Sequence, residues 1–341
     1  MDMISFGSVF LELVFGHLRE LPKPGEEVFT DEFAISLGGA VTSATAAAAA
    51  GVRAGLCTVL GDDLGTEALT EHCAAAGVDL SGSVAVSRPA VGITVVLNFD
   101  GDRGFVTHIP PAAAGEQRAI DRWRGVLDDQ RPAWCYLHAG PGVPDFLRHA
   151  RRLGCKVMLD TSLGDERARD TVVECVALAD IFVPNADELL RLADTQTTGA
   201  AAADTASSGA TAIAAAAAAA AAAWGTQLVV KRGAAGALVV DTDGAVTEVA
   251  DGVRAVTVRD LTGAGDNFAG AMIAALLGGA SLPQAAVAAN AAGSRAVGQL
   301  GAVGDLPAGT GGGWPLRPMI VREAAAALAA PRQRGVMEQG R

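Results

Sequence analysis

An α/β fold with a mainly parallel central sheet is predicted by two observations and qualified by a third. Short apolar runs suited to buried parallel strands recur along the chain, and helical segments fill the gaps between them. Gly-containing breaks such as Gly61-Asp62-Asp63 separate strand from helix. One segment departs from this rhythm. Residues 92–99 (GITVVLNF) and 104–109 (GFVTHI) flank Asp100-Gly101, a strong hairpin turn signal. That antiparallel pair predicts a small second sheet outside the main one.

Residues 3–9 read as the first strand, opening at Gly7, and a polar stretch with Pro22, Pro24 and Gly25 follows. Residues 28–37 alternate loosely and are read as a strand pair that joins the hairpin. Gly38-Gly39 then opens an alanine-rich helix over 42–50, followed by a strand over 54–60 and a helix over 66–76. Further strands are expected at 134–138, 157–160, 181–183, 228–231 and 237–240, with helices including 145–153 and 187–193. Residues 195–223 are of low complexity and end in an alanine run. The run has high helix propensity but no large apolar face, so a surface helix without chemistry is expected. The tail from Pro307 is Gly/Pro-rich, with a helix expected over 321–329. The division is therefore a main domain over 1–305, with the small sheet drawn from 10–37 and 91–110, and an extension over 306–341.

Composition removes several classes of function. Half the 341 residues are hydrophobic but only 4% are aromatic, so the core must be built from small side chains. The net charge is −12, and the only lysines are Lys23, Lys156 and Lys231. Such a chain is a poor binder of nucleic acid or anionic membrane, because phosphate affinity needs a basic surface. Five cysteines, odd in number and set in apolar runs, read as reduced core residues. The histidines are scattered, with no zinc-ligand spacing. No basic leader precedes an apolar stretch, and the alanine run is too short to span a bilayer. A cytoplasmic protein is expected.

The chemistry concentrates in residues 259–277, RDLTGAGDNFAGAMIAALL. A turn of small residues, Thr262-Gly263-Ala264-Gly265, runs straight into an apolar helix. Its N–H groups and the helix N-terminus suit an anion, above all a phosphate. Asp266 would repel an anion bound there, but it suits a base that takes a proton from an attacking hydroxyl. The plainer alternative makes Asp266 an N-cap and the glycines turn residues.

Residues Asp260 to Phe268 (DLTGAGDNF) resemble the second signature of the PfkB/ribokinase family of carbohydrate kinases, usually close to D-T-x-G-A-G-D-x-F. Gly38-Gly39-Ala40-Val41-Thr42-Ser43-Ala44 resembles the first signature. Gly61-Asp62-Asp63-Leu64-Gly65 is similar to the G-D-D-x-x-G segment, and Asn185-Ala186-Asp187-Glu188 to the N-x-x-E motif. Lys231-Arg232-Gly233-Ala234-Ala235-Gly236 is similar to the later nucleotide loop, and Asn290 with Gly301-Ala302 to the last helix and the x-G-A after it. The set keeps family order across roughly residues 3–305.

This resemblance implies a ribokinase-like three-layer α/β/α sandwich with a small β-sheet lid. It implies transfer of the ATP γ-phosphoryl group to a hydroxyl of a sugar or sugar-like molecule. Asp266 would be the catalytic base, and the N–H groups of Gly263, Ala264 and Gly265 the anion hole. Asn185 and Glu188 would organise Mg²⁺ and the ATP phosphates, chiefly through water. Lys231, Gly233 and Gly236 would meet the nucleotide, with Asn290 near the adenine. Asp260 and the Thr262 carbonyl fall where some members bind K⁺. On the substrate side the implied residues are Glu12, Gly38, Gly39 and Ser43. The family commonly has Asp where Glu12 stands, Asn where Ser43 stands, and a small or β-branched residue at Leu261. Arg103, in the hairpin, reads equally as a substrate contact or an exposed turn arginine. A homodimer through the lid is expected. The alternatives are a nucleoside kinase of the same family and a kinase-fold ligand binder with little activity. A dinucleotide oxidoreductase is nearly excluded, because no G-x-G-x-x-G follows the first strand.

Overall fold

The computed structural model describes residues 1–99, 102–110, 116–161, 169–193, 209–304 and 306. Its main sheet is assembled from short runs too apolar to face water on either side. β1 (Met3–Phe6), β4 (Ala54–Cys57), β9 (Trp134–His138), β10 (Lys156–Asp160), β11 (Ile181–Phe182) and β12 (Gln227–Lys231) are parallel. β13 (Ala237–Val240) and β14 (Val246–Val249) add antiparallel to β12. The order is β14-β13-β12-β11-β10-β9-β1-β4.

Alternation along these strands feeds two cores. On β9, Cys135 and Leu137 face a core with Leu127 of α3 (Glu116–Gln130), Phe146 of α4 (Val143–Arg152), Cys175 of α5 (Arg169–Leu178) and Leu189 of α6 (Ala186–Ala193). Trp134 and Tyr136 face the other side. There the core includes Ala47 of α1 (Ala40–Ala49), Met272 of α8 (Ala264–Leu277) and Ala289 of α9 (Leu282–Ala296). The sheet is therefore the middle of three layers. The five cysteines are buried and unpaired, as expected. Among the described residues no helix is long and apolar enough to cross a membrane.

The small sheet has the order β3-β2-β7-β8, formed by β3 (Phe33–Gly39), β2 (Val9–Leu18), β7 (Gly92–Phe99) and β8 (Asp102–His108). The hairpin is present, although its turn at 100–101 lies outside the described residues. The strand pair expected over 28–37 is corrected to the single strand β3. The partner of β3 is β2, a run that directly follows β1 and lies within the range 10–37 expected to supply the small sheet, although it is not read there as a separate strand. The strand expected over 54–60 breaks into β4 and β5 (Val59–Leu60). α2 (Leu64–Ala76) is capped by Asp63, whose other carboxylate oxygen accepts from the Ala90 and Val91 N–H groups at 2.7 and 3.2 Å. The Gly-Asp-Asp segment thus anchors the entry to β7.

The alanine run also needs correction. It forms α7 (Gly209–Trp224), and Ala217, Ala220, Ala221 and Trp224 make a buried stripe at helical spacing. Methyl groups suffice as a face because they let the helix approach closely. The residues before it, 194–208, lie outside the described residues, as do residues 162–168 and those after Leu306. Met1–Leu306 packs as one unit.

α1 and α8 approach so closely that a Cβ on Gly270 would collide with the Ser43 carbonyl and crowd Ala46 and Ala47. Gly270→Val is expected to destabilise the protein by about 3 kcal/mol or more, read from the urea midpoint. Gly125→Ala in α3 has open space around the new methyl and is expected to stabilise by about 0.5–1 kcal/mol.

Candidate functional site

β9, β10 and β12 all end at the carboxyl edge of the sheet, and each ends on a polar residue: His138, Asp160 and Lys231. α8 begins at the same edge, where open α/β sheets take ligands. Gly263 caps this helix at φ 72°, and a Cβ there would collide with Ala302. Glycine is required on both counts. The Asn267 N–H closes the first turn on the Gly263 carbonyl at 2.9 Å. The Gly263, Gly265 and Asp266 amides have no backbone partner among the described residues, whereas Ala264 reaches the Leu261 carbonyl at 3.5 Å.

Asp266 lies in this first turn. Its Oδ1 accepts from the Tyr136 hydroxyl at 2.9 Å and sits 3.4 Å from His138 Nε2. Burial alone would raise its pKa. The bond and charge of His138, the Tyr136 hydroxyl and the Lys231 ammonium outweigh burial and hold the carboxyl below the usual range. Burial disfavours the His138 imidazolium, but its bond to Asp266 and the charges of Asp160 and Asp266 raise its pKa. Tyr136 also lies 3.3 Å from Asp160 Oδ2, which takes a 2.7 Å bond from Lys231 Nζ. Asp160 and Glu188 hold the Lys231 pKa above its ordinary value against burial. Lys231 Nζ would also be 3.0 Å from a Cβ on Gly265. The lysine therefore packs over the Gly263-Ala264-Gly265 turn.

On the lid side, Glu12 is buried over Gly38, where any Cβ would strike its carboxylate. It accepts from the Ala302 N–H, and its Oε2 has no partner. Burial pushes its pKa up to about 7, reinforced by Asp260 and Asp266 and opposed by the Ala302 N–H and Arg103. Strand register puts Thr94, Val96 and Asn98 of β7 opposite Thr107, Phe105 and Arg103 of β8, with Glu12 opposite Thr94. Arg103 is half-buried on this face, 5.5 Å from the Phe105 ring centroid, and is not a free turn arginine. Gly39, at φ 79°, starts α1 against the Ser8 carbonyl. Ser43 departs from its expected role. It is fully buried, with its hydroxyl 3.0 Å from Ser5 Oγ and 3.1 Å from the Ala40 carbonyl. Both hydrogen bonds are spent beneath the site.

Of the residues expected on the nucleotide side, Asn185 and Glu188 stand at the start of α6. The Asn185 N–H donates to Glu188 Oε2 at 2.7 Å, and the Glu188 N–H to Asn185 Oδ1 at 2.8 Å. The N-x-x-E motif is thus a reciprocal helix cap. Burial and the Asp160 charge raise the Glu188 pKa, against Lys231 and the Asn185 N–H. A cavity of about 450 Å³ is lined here by Asn185, Lys231, Arg232, Ala235 and the first turn of α7. Gly233 (φ 57°) and Gly236 (φ 77°) bracket a short 3₁₀ turn, Gly233–Ala235, beside it. Asn290 is a buried clamp: its amide donates to the Val249 and Asp251 carbonyls at 3.0 and 2.9 Å. Asp260 accepts from the Thr262 and Gly301 N–H groups, both at 2.8 Å, and the buried Thr262 hydroxyl lacks a partner. Among the described residues no group of three or more His, Cys, Asp or Glu is placed to hold a metal ion.

Tyr136, His138 and Asp160 entered the reading of the sequence only as residues of the strands over 134–138 and 157–160. The available signal was Tyr-x-His ending an apolar strand, which sets both rings on one face.

The family model described as pfkB family carbohydrate kinase matches residues 4–309. The chain is similar to the bifunctional protein HldE of Shewanella amazonensis, 30% identical over 274 residues, or 77% of this chain and 52% of that protein. It thus spans about half the length of that relative. It is also similar to the cytidine kinase of Thermococcus kodakarensis, 28% identical over 283 residues, covering 80% and 88% of the two chains. Among solved structures, the ribokinase from Cryptococcus neoformans in complex with ADP aligns with a TM-score of 0.70 at 21% identity, covering 89% and 97%. A ribokinase II from E. coli in complex with ATP and Mg²⁺ aligns at 0.68 and 23%, covering 89% and 94%. These likenesses establish the ribokinase fold with its separate small sheet. With a family model spanning nearly all of the described unit, the chain belongs to the pfkB family of carbohydrate kinases.

Proposed function

We propose that residues 1–305 transfer the γ-phosphoryl group of ATP to a hydroxyl of a sugar or sugar-like molecule, with Asp266 as general base. The observation that carries this reading is the ionised Asp266 beside unpartnered amides at the start of α8. A carboxylate held below its usual range is a weak base but is always ready. In a loose phosphoryl-transfer transition state the attacking bond is little advanced and the proton leaves late, so a weak base suffices. The Gly263, Ala264 and Gly265 turn offers amides to the charge that builds on the transferred group, and Lys231 adds a cation beside it.

ATP and Mg²⁺ fit the residues present. The repulsion between Glu188 and Asp160 is the kind a divalent cation relieves, and Glu188 keeps one carboxylate oxygen outside its cap. Bound there, Mg²⁺ would neutralise phosphate charge, with Asn185 and Glu188 holding it through water. Lys231, Gly233 and Gly236 would border the nucleotide, and Asn290 would shape the loop near the base. Asp260 and Thr262 would border a K⁺ site in the manner of those members that use one. Glu12 would accept from acceptor hydroxyls through its unpartnered oxygen, with Arg103, Gly38 and Gly39 around it. A neutral acceptor suits this pocket, because Glu12 opposes an anion. The buried free thiols suit a reducing compartment such as the cytoplasm. A second reading, a nucleoside kinase, is favoured by the cytidine kinase relative and by Phe105, half exposed on the Glu12 face and able to stack on a base. ADP release from Mg·ATP across sugars, sugar acids, sugar phosphates and nucleosides separates the two readings. No turnover on any of them, with ATP still bound, would point to a ligand binder.

Four outcomes are expected. Asp266→Asn should lower kcat about 10²–10⁴-fold while ATP affinity stays near that of the native protein; near-normal kcat would remove the base assignment. The KM for the acceptor should fall as pH rises through about 7, as Glu12 ionises, and Glu12→Gln should abolish that dependence. The same shift opposes folding: the stabilisation is complete below pH 4.5 and lost as pH rises through about 7. Glu12→Gln should therefore gain up to about 3 kcal/mol in urea unfolding at pH 8 relative to pH 4.5. Finally, β8 is an edge strand carrying exposed Phe105 and Val106, so a lid-to-lid homodimer is expected. A monomer in sedimentation at micromolar concentration would exclude it.

A further inference from the structure

A buried tyrosine hydroxyl needs one hydrogen-bond partner, and Tyr136 has more than it can use. It is fully buried on β9, with Asp266 Oδ1 at 2.9 Å and both Asp160 Oδ2 and His138 Nε2 at 3.3 Å. The hydroxyl carries one proton, so it can serve only one carboxylate at a time. The two are not equivalent. Asp160 Oδ2 already takes the 2.7 Å bond from Lys231, which leaves Asp266 as the needier acceptor. The hydroxyl of Tyr136 and Nε2 of His138 converge on Asp266 Oδ1, and among the described residues no hydrogen bond occupies Oδ2.

We propose that Tyr136 is the positioning residue of Asp266, holding Oδ1 while Asp266 is ionised and turning to Asp160 Oδ2 once Asp266 has taken a proton. The inference rests on the reading of Asp266 as base. In the step itself, the acceptor hydroxyl loses its proton to Asp266 as its oxygen bonds to phosphorus. Tyr136 keeps its own proton throughout and only changes the carboxylate it serves. Its hydrogen bond favours the ionised base before the step; once the acceptor's proton sits on Asp266 Oδ2 that bond weakens, and Asp160, still charged, becomes the stronger acceptor. Lys231 matters to this device because its ammonium keeps Asp160 from claiming the hydroxyl at rest. Around Asp266, the facing groups are Tyr136 and His138 from β9, Asp160 from β10, Lys231 from β12 and Glu12 from β2. Burial and the charges of Asp266 and Asp160 raise the Tyr136 pKa well above its ordinary value, so the phenol stays protonated at neutral pH.

The chain contains a single tyrosine, so this hydroxyl can be observed alone. Full-length protein grown with 3-fluorotyrosine gives one ¹⁹F resonance, and the ring fluorine brings the phenol titration into the mildly alkaline range. In the native sequence the resonance is expected to titrate at least one pH unit above free 3-fluorotyrosine. Asp266→Asn, by removing one carboxylate charge, should lower that midpoint by about one unit. A midpoint at the free value, or one that Asp266→Asn leaves in place, would overturn the inference.

Turnover with Mg·ATP and the best acceptor of the panel supplies the second readout. Tyr136→Phe should lower kcat tenfold or more, keep KM for ATP within twofold, and move the acid limb of kcat up by about one pH unit. The fluorinated protein, with a stronger donor, should move that limb down. Opposite displacements cannot both arise from damaged packing. An acid limb unmoved by either change, in a protein that Asp266→Asn inactivates, removes the positioning role and leaves the base assignment standing. Turnover surviving Asp266→Asn removes the base assignment itself.

Discussion

The Lys231–Asp160 ion pair, 2.7 Å long with its carboxylate almost closed to solvent, is the interaction on which the site depends. Glu12, Asp160, Glu188, Asp260 and Asp266 all approach the carboxyl edge of one sheet. Carboxylates drawn together in a low-dielectric region repel and protonate unless something offsets them. Lys231 does this from β12, reaching across β11 to the end of β10. Losing either partner of such a buried pair costs about 3–5 kcal/mol, because the survivor is left charged and unpaired. The same ammonium lies over Gly265, so the group that permits the acidic cluster also adjoins the turn that offers its amides. Asp266 is held below its usual range by His138, Tyr136 and Lys231 against burial, whereas burial with the Asp260 and Asp266 charges pushes Glu12 up to about 7.

A second constraint ties the lid to that turn. Residues 301–304 receive contacts from three directions. Gly301 donates to Asp260, Ala302 to Glu12, and Val303 to Ser36, whose hydroxyl in turn donates to the Gly304 carbonyl. Asn267 of α8 donates to the Ala302 carbonyl at 2.9 Å, and Gly263 is bare so that Ala302 can come close. One short loop therefore fixes β2 and β3 of the lid relative to the start of α8. Glu12 accepts from Ala302 in this loop and its other oxygen has no partner, so under the proposed function it would join acceptor recognition to the geometry of the turn.

Much of this was legible from local chemistry. Short apolar runs with helices between them declare a parallel sheet, since only strands buried on both faces are so uniformly apolar. The hairpin around Asp100-Gly101 declared the small sheet. The turn at Gly263 was readable because a left-handed, side-chain-free position leaves few choices of residue. β2 fell within the range 10–37 assigned to the small sheet but was not read as a strand of its own, because it follows β1 with almost no turn and its partner β3 lies fifteen residues on. α7 was misjudged because propensity measures how well alanine makes a helix, not how well methyl groups pack once a flat neighbour is supplied.

The sequence by itself determined the layered α/β class, the order of the motifs and the residue types at the start of α8, because these depend on periodicity and on backbone conformations that neighbouring residues impose. Tertiary structure alone decided which side chains share the site. Tyr136, His138, Asp160 and Lys231 are far apart in the chain and meet because parallel strands end at a common edge. Ser43 leaves the pocket because its hydroxyl finds Ser5 below. The ionisation of Glu12 and Asp266 was likewise out of reach of the sequence. A carboxyl group's pKa is set by what it is buried against, and that is a property of distance in space.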